Sequence, residues 1–180
     1  MKVTPLPIDG VLLIEPDVFH DERGYFLESY NENRFMDAGI TTKFVQDNHS
    51  MSNKGVLRGL HYQIPPHDQG KLVRVVRGAA TDVIVDIRKN SPTYGKHLSV
   101  SINEINRLML WIPPGFAHGF LALEDNTVFL YKCSKVYNKN AERGIIWNDP
   151  QLAIDWGHTN PKVSSKDLEL SLFKDLVSEF

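Results

Sequence analysis

Cysteine is almost missing from this chain: Cys133 is the only one in 180 residues. No internal disulfide can form, and the composition fits a reducing compartment. A surplus of one charge is missing too. Lys and Arg number 20 against 22 Asp and Glu, a formal net charge of −2, so nothing points to nucleic acid or an anionic membrane as partner. No run approaches the roughly 20 apolar residues of a membrane-spanning helix. The N-terminal MKVTPLPIDG carries Pro5 and Asp9 where a signal peptide needs an apolar stretch. A soluble, cytoplasmic protein is expected. Repeats, low-complexity runs and linkers are absent. With 42% hydrophobic and 23% charged content, 180 residues suffice for one globular domain over 1–180.

Long helical patterns are also scarce. Asn31 can cap one short helix, Glu32 to Ala38, closed by Gly39, and residues 164–180 read as a short helical tail outside the main body. The rest is short apolar runs punctuated by Gly, Pro, Asn and Asp. Val11 to Ile14, Tyr25 to Tyr30 after a turn at Asp21 to Gly24, Thr81 to Arg88, His97 to Ile102, Leu108 to Ile112, Phe120 to Leu123, Thr127 to Ser134 and Ile145 to Asn148 all fit strands. Many short strands at regular spacing predict an all-β sandwich or barrel. Between Lys43 and Ser52, the polar Gln46, Asn48, Ser50 and Ser52 recur at every second position and share one face of a strand. That face is either solvated or turned to a ligand.

The stretch Gly55 to Gly78, GVLRGLHYQIPPHDQGKLVRVVRG, reads as two apolar strands joined by a proline-rich loop. It carries His61, Gln63 and Lys71, and PPGFAHGF (Pro113 to Phe120) adds His118. These four are spaced like the metal-ligand positions of the cupin superfamily, with Gly55 ahead of His61 and Lys71 seven residues before Gly78. The resemblance implies a double-stranded β-helix, or jelly-roll barrel, with a few short peripheral helices. Two of the ligand types do not suit a metal. An ammonium has no lone pair and repels a divalent cation, and Gln63 replaces an imidazole. The expectation is a barrel without a metal or other cofactor.

A cation in that seat can instead stabilise an enolate oxygen, more strongly in a dry pocket than in water. Imidazole, which takes up and returns protons near neutral pH, is the natural base for a carbon acid next to a ketone. Base, oxyanion stabiliser and ketone together define proton abstraction α to a carbonyl. Taken singly, His61 is a satisfied core histidine as readily as a base, and Lys71 a strand-edge lysine reaching for solvent.

Longer segments bear a closer resemblance. DERGYFLES (Asp21 to Ser29), FVQDNHSMSNKGVLRGLHYQ (Phe44 to Gln63), QGKLVRVVRG (Gln69 to Gly78), WIPPGFAHGF (Trp111 to Phe120), FLYKCS (Phe129 to Ser134) and ERGIIWNDPQLAIDW (Glu142 to Trp156) resemble the dTDP-4-dehydrorhamnose 3,5-epimerase family, in order, over about Met1 to Asp167. The resemblance implies a cofactor-independent cupin homodimer acting on a dTDP-4-keto-6-deoxy sugar, whose C3 and C5 protons both lie α to the C4 ketone. It makes His61 the base and Tyr131 the acid, since a phenol (pKa about 10) holds its proton at neutral pH. Lys71 and His118 would lie at the sugar. Asp167 resembles the carboxylate that orients the base, although a helix N-terminal acid explains it equally well. Arg23, Glu28, Gln46, Asn48, Arg58, Glu142 and Lys166 match substrate-binding positions.

Two features complicate that assignment. Strict alternation puts Arg58 and His61 on opposite faces of their strand, so both reach a ligand only if Gly59 marks a bulge or Arg58 serves another part of the cleft. Val136 stands where family members often carry the first of two tyrosines, leaving Tyr137. A single-centre epimerase, a noncatalytic nucleotide-sugar-binding cupin and a metal-dependent cupin remain as alternatives.

Overall fold

The computed structural model describes residues 1–180. Its strands are β1 (Lys2–Pro5), β2 (Leu12–Glu15), β3 (Val18–Asp21), β4 (Gly24–Leu27), β5 (Gln46–Ser52), β6 (Leu57–Gln63), β7 (Lys71–Arg77), β8 (Ala79–Asp86), β9 (His97–Asn103), β10 (Met109–Ile112), β11 (Phe116–Ala122), β12 (Thr127–Cys133) and β13 (Glu142–Gly144). A six-stranded sheet, β1-β2-β10-β7-β12-β5, faces a five-stranded one, β13-β6-β11-β8-β9. All pairings between these strands are antiparallel, and consecutive strands repeatedly cross from one sheet to the other. This is the cupin jelly roll expected from the sequence. No helix is long and apolar enough to cross a membrane.

Three apolar layers hold it together. Between the sheets lie Val73, Val75, Ala80, Ile84, Leu110, Phe120 and Phe129. The Phe120 and Phe129 rings stack 4.0 Å apart and 2° from parallel. Behind the five-stranded sheet, Leu57, Val83, Val85 and Leu121 pack under Leu152, Trp156 and Phe173. Behind the other sheet, α1 (Glu32–Asp37) lays Phe35 on Ile14, Leu72 and Met109. Asn31 caps α1 by accepting from the Arg34 amide at 3.3 Å. With both faces covered, β8 and β11 have no solvent side, and only Thr81 of β8 is less than fully buried.

Several sequence expectations need correction. The tail is not a helix of any length: α2 (Ser165–Leu168) is one turn, Phe173–Asp175 is a 3-10 turn, and the remainder is irregular. Anchoring by Phe173 on the outer core and by the Phe173 amide on Asp149 (2.7 Å) replaces helical hydrogen bonding. The strand expected at Phe120 to Leu123 instead runs from Phe116 to Ala122 and takes in His118. His118 is the third residue of β11, directly across from His61.

Gly59 does mark a bulge. Along β11, His118 opposes His61 and Phe120 opposes Arg58, so three steps on β6 match two on its partner. The extra residue turns Arg58 and His61 to the same cavity. Gly59 has φ +124°, and a Cβ there would lie 2.5 Å from Gly119 Cα. Gly59→Ala is expected to destabilise by at least about 1–3 kcal/mol through overpacking, read as a lower urea midpoint. An unchanged midpoint would mean that the two strands can separate at this crossing.

Candidate active site

A cavity of about 550 Å³ opens between the sheets, lined by Arg58, His61, Lys71, His118, Tyr131, Lys166 and Asp167 among others. A smaller one of about 150 Å³ shares His61, Lys71 and Tyr131 and adds Gln46, Asn48, Tyr137 and Glu142. The shared residues make them two lobes of one cleft. His61 and His118 stand on the five-stranded wall, Lys71 and Tyr131 on the six-stranded wall.

Asp167 reaches His61 from α2. Ser164 caps that turn, accepting from the Asp167 amide at 3.1 Å, and so aims the carboxylate at β6. Asp167 Oδ1 lies 2.7 Å from His61 Nε2, and Oδ2 accepts from the Gly59 amide at 3.3 Å. Asp167 is thus both a first-turn acid of α2 and the partner of His61. Burial pushes its carboxyl up. The His61 hydrogen bond and charge, the Gly59 amide and Ser164 together outweigh that and hold it below its ordinary value. With Nε2 engaged, Nδ1 is the nitrogen that His61 can offer a ligand.

Lys71 is buried on the inward face of β7, 9% exposed. Its ammonium has one hydrogen-bond contact, His61 O at 3.4 Å. Burial lowers its pKa, opposed by the charges of Cys133, Asp82 and Glu142. Tyr131 moves the opposite way, its phenol pushed up by burial, so it stays protonated to higher pH. The wall across the cavity from His61 therefore offers an ammonium and a phenolic proton.

The mouth carries further polar groups. Glu142 Oε2 accepts from Tyr137 Oη and from Lys166 Nζ, each at 2.5 Å. Arg58 donates through Nε to Ser52 Oγ (3.0 Å) and through its terminal nitrogen to Met51 O (3.3 Å). Gln46, Asn48 and Ser50 share one face of β5, as their spacing predicts, and that face lines the cleft. Gln46 Nε2 donates to Asn48 Oδ1 at 3.0 Å.

Not every sequence candidate joins this cleft. Arg23 and Glu28 belong to the β3–β4 hairpin and its outgoing loop, and that hairpin pairs only with itself. Arg23 is 84% exposed and bonded to Asp21, while Glu28 holds Asn31 and Arg34. Neither lines either lobe of this cleft. Gln63 does line the smaller lobe, but its amide is spent on the backbone, donating to His67 O and accepting from the Asn138 amide, both at 2.7 Å. Val136 is exposed and outside the cleft, and Tyr137 lines it. The sequence reading missed Asp82, which is fully buried with Oδ2 2.7 Å from His118 Nε2. A carboxylate between Ala80 and Ile84 on one face of the strand was the available signal.

The four cupin positions do not fit a metal here. Lys71 is an ammonium, Gln63 is tied to the backbone, and each histidine has Nε2 bound to a carboxylate. No three His, Cys, Asp or Glu side chains converge in a metal-holding geometry.

Comparison with known proteins gives the family. A dTDP-4-dehydrorhamnose 3,5-epimerase from Shigella flexneri is 53% identical over 97% of both chains. The crystal structure of a dTDP-6-deoxy-D-glucose-3,5-epimerase from Legionella pneumophila, in complex with dTDP-4-keto-L-rhamnose, superposes with a TM-score of 0.94 at 46% identity, covering 98% of this chain and 94% of that one. The Bacillus anthracis dTDP-4-dehydrorhamnose 3,5-epimerase, solved with TDP and pyrophosphate, gives 0.94 at 43% identity over 96% and 99%. The family model described as dTDP-4-dehydrorhamnose 3,5-epimerase matches residues 5–175. On these matches over nearly its full length, the chain belongs to the dTDP-4-dehydrorhamnose 3,5-epimerase family.

Proposed function

We propose that this protein epimerises C3 and C5 of dTDP-4-dehydro-6-deoxy-D-glucose, giving dTDP-4-dehydro-L-rhamnose for dTDP-L-rhamnose synthesis. The observation that carries the reading is the carboxylate-held His61 across one cavity from Lys71 and Tyr131. His61, oriented by Asp167, removes the proton α to the C4 ketone. The electron pair moves onto the ketone oxygen, where Lys71 stabilises the enolate charge. Tyr131 returns a proton to carbon from the opposite wall, and the centre inverts. A proton leaves and a proton comes back, so the step has no net redox change and calls for no cofactor. Arg58 and Lys166 are the cations for the diphosphate, Gln46 and Asn48 supply paired amides for a base edge, and His118 lies at the sugar.

The assembly we propose is a homodimer, in the cytoplasm. Phe19, Tyr25 and Phe26 on the β3–β4 hairpin are 63%, 52% and 68% exposed, an apolar area that a second copy would cover. In that arrangement Arg23 and Glu28 serve the cavity of the other subunit, which accounts for their distance from their own. The deciding experiment is turnover of the ketosugar in D₂O followed by NMR. Deuterium is expected at both C3 and C5. Incorporation at one carbon only would make the protein a single-centre epimerase, and none at either would remove the epimerase reading.

A further inference from the structure

Asp82 and Asp86 lie four residues apart on the same face of β8, both fully buried. They are used very differently. Asp86 is saturated: it accepts from the Arg88 amide (3.0 Å), Arg88 Nε (2.9 Å) and terminal nitrogen (2.8 Å), Ser91 Oγ (2.6 Å) and Thr93 Oγ1 (2.6 Å). That network ties the Asp86 to Thr93 turn together, a structural task. Asp82 has one partner. Its Oδ2 meets His118 Nε2 at 2.7 Å, and its Oδ1 is buried with no hydrogen bond. An ionised carboxylate has about four acceptor sites and costs several kcal/mol to bury unless they are used. Threonine or valine would pack in this apolar layer at no such cost, so a role in packing does not account for the carboxylate.

Its surroundings indicate what the charge acts on. His118 is the cross-strand neighbour of His61 and lines the same cavity. The other charge deep in that cavity is the Lys71 ammonium, whose single contact is a long one to a backbone carbonyl. Asp82, Glu142 and the Cys133 thiol are the titratable groups acting on Lys71. Glu142 is already engaged by Tyr137 and Lys166 at the mouth, and the Cys133 thiol is pushed up by burial, so it is not an anion near neutral pH. Of the three, Asp82 is the carboxyl that is fully buried with an oxygen left unpartnered.

We propose that Asp82 is the positioning residue of the ketone end of the cleft: it holds His118 by Nε2, so that Nδ1 is presented to the substrate oxygen, and it supplies the counter-charge that keeps Lys71 an ammonium in the barrel interior. The cleft thus contains two His–Asp pairs with different tasks, one at the base and one at the oxygen. The substrate part of this inference rests on the proposed function. The placement of His118 and Lys71 does not.

The test is NMR on the intact protein, then kinetics on Asp82→Asn, which keeps the side-chain shape and removes the charge. In wild type, long-range ¹H–¹⁵N spectra are expected to show His118 protonated at Nε2, and an Nδ1–H tautomer would overturn the proposal without any variant. In Asp82→Asn, the Lys71 ¹³Cε titration midpoint is expected to move further down, and kcat to fall about 10–100-fold, as when other orienting partners of histidines are removed, with KM little changed. Asp86→Asn is the control. It is expected to lower thermal stability while leaving kcat and the Lys71 midpoint in place. Equal kcat losses in the two variants, or an unmoved Lys71 midpoint in Asp82→Asn, would assign Asp82 to structure alone. The spectra need no substrate, so they decide this role even if the ketosugar is not turned over, a result that would overturn the functional reading instead.

Discussion

His61→Ala is expected to lower kcat by about 10²–10⁴-fold, the usual contribution of a positioned acid or base, with dTDP affinity nearly unchanged. The expectation of intact binding follows from where the binding groups stand. Arg58 is held by Ser52 and Met51, and Gln46 by Asn48, without help from His61. The variant loses one hydrogen bond to Asp167, which keeps the Gly59 amide. Turnover and calorimetric dTDP titration separate the two effects, and a near-normal rate would remove His61 from the base role. Exchange in D₂O refines the result. Loss at both C3 and C5 means that one base serves both carbons, whereas exchange surviving at one of them would give that carbon to His118.

Lys71→Met should produce a comparable loss, about 10²–10³-fold in kcat, the range seen when an oxyanion donor is removed. Its effect on stability should have the opposite sign. Burial holds the Lys71 pKa below its ordinary value in the folded protein, so at neutral pH the fold carries a charge that an unfolded chain would solvate more easily. Methionine removes that cost, and the melting temperature is expected to hold or rise while activity collapses. A residue kept for packing would lose both together. The pH profile follows from the same sign. The ammonium is the active form, so wild-type kcat should fall as pH rises through the lowered Lys71 value. Tyr131 is displaced upward by burial and loses its proton later than an ordinary phenol. In Lys71→Met the residual rate should lack the early alkaline decline. A decline of unchanged position would assign it to another group.

Much of this architecture was legible in the residue pattern, because strands between Gly, Pro, Asn and Asp turns obey a period of two and because turns have chemical signatures. The helix behind Asn31, the turn at Glu22 and Arg23, and the shared face of Gln46, Asn48 and Ser50 all lie where local rules put them. The bulge at Gly59 was legible only as a contradiction: two polar side chains needed on one side of a strand that alternation sends to opposite sides. Asp82 was hidden for the reverse reason. Alternation of Asp82, Ile84 and Asp86 against Val83 and Val85 suggests one polar face, but the covering segment around Leu152, Trp156 and Phe173 buries the far side, so the polar residues face the barrel interior. Nothing local announces that cover. The tail failed for the same cause, since its conformation is set by what it lies against. Arg23 and Glu28 were placed by resemblance, and one chain's backbone does not bring them to its own cleft.

The contact between His61 and Asp167 spans 106 positions of the chain. Strands β1 to β13 all precede Ser164, so both sheets can be complete while the imidazole still lacks its orienting anion. Docking of a single helical turn is then what gives the proposed base its carboxylate. An enzyme that deprotonates carbon next to a ketone can thus acquire that capacity once the walls that shelter the enolate from water already exist.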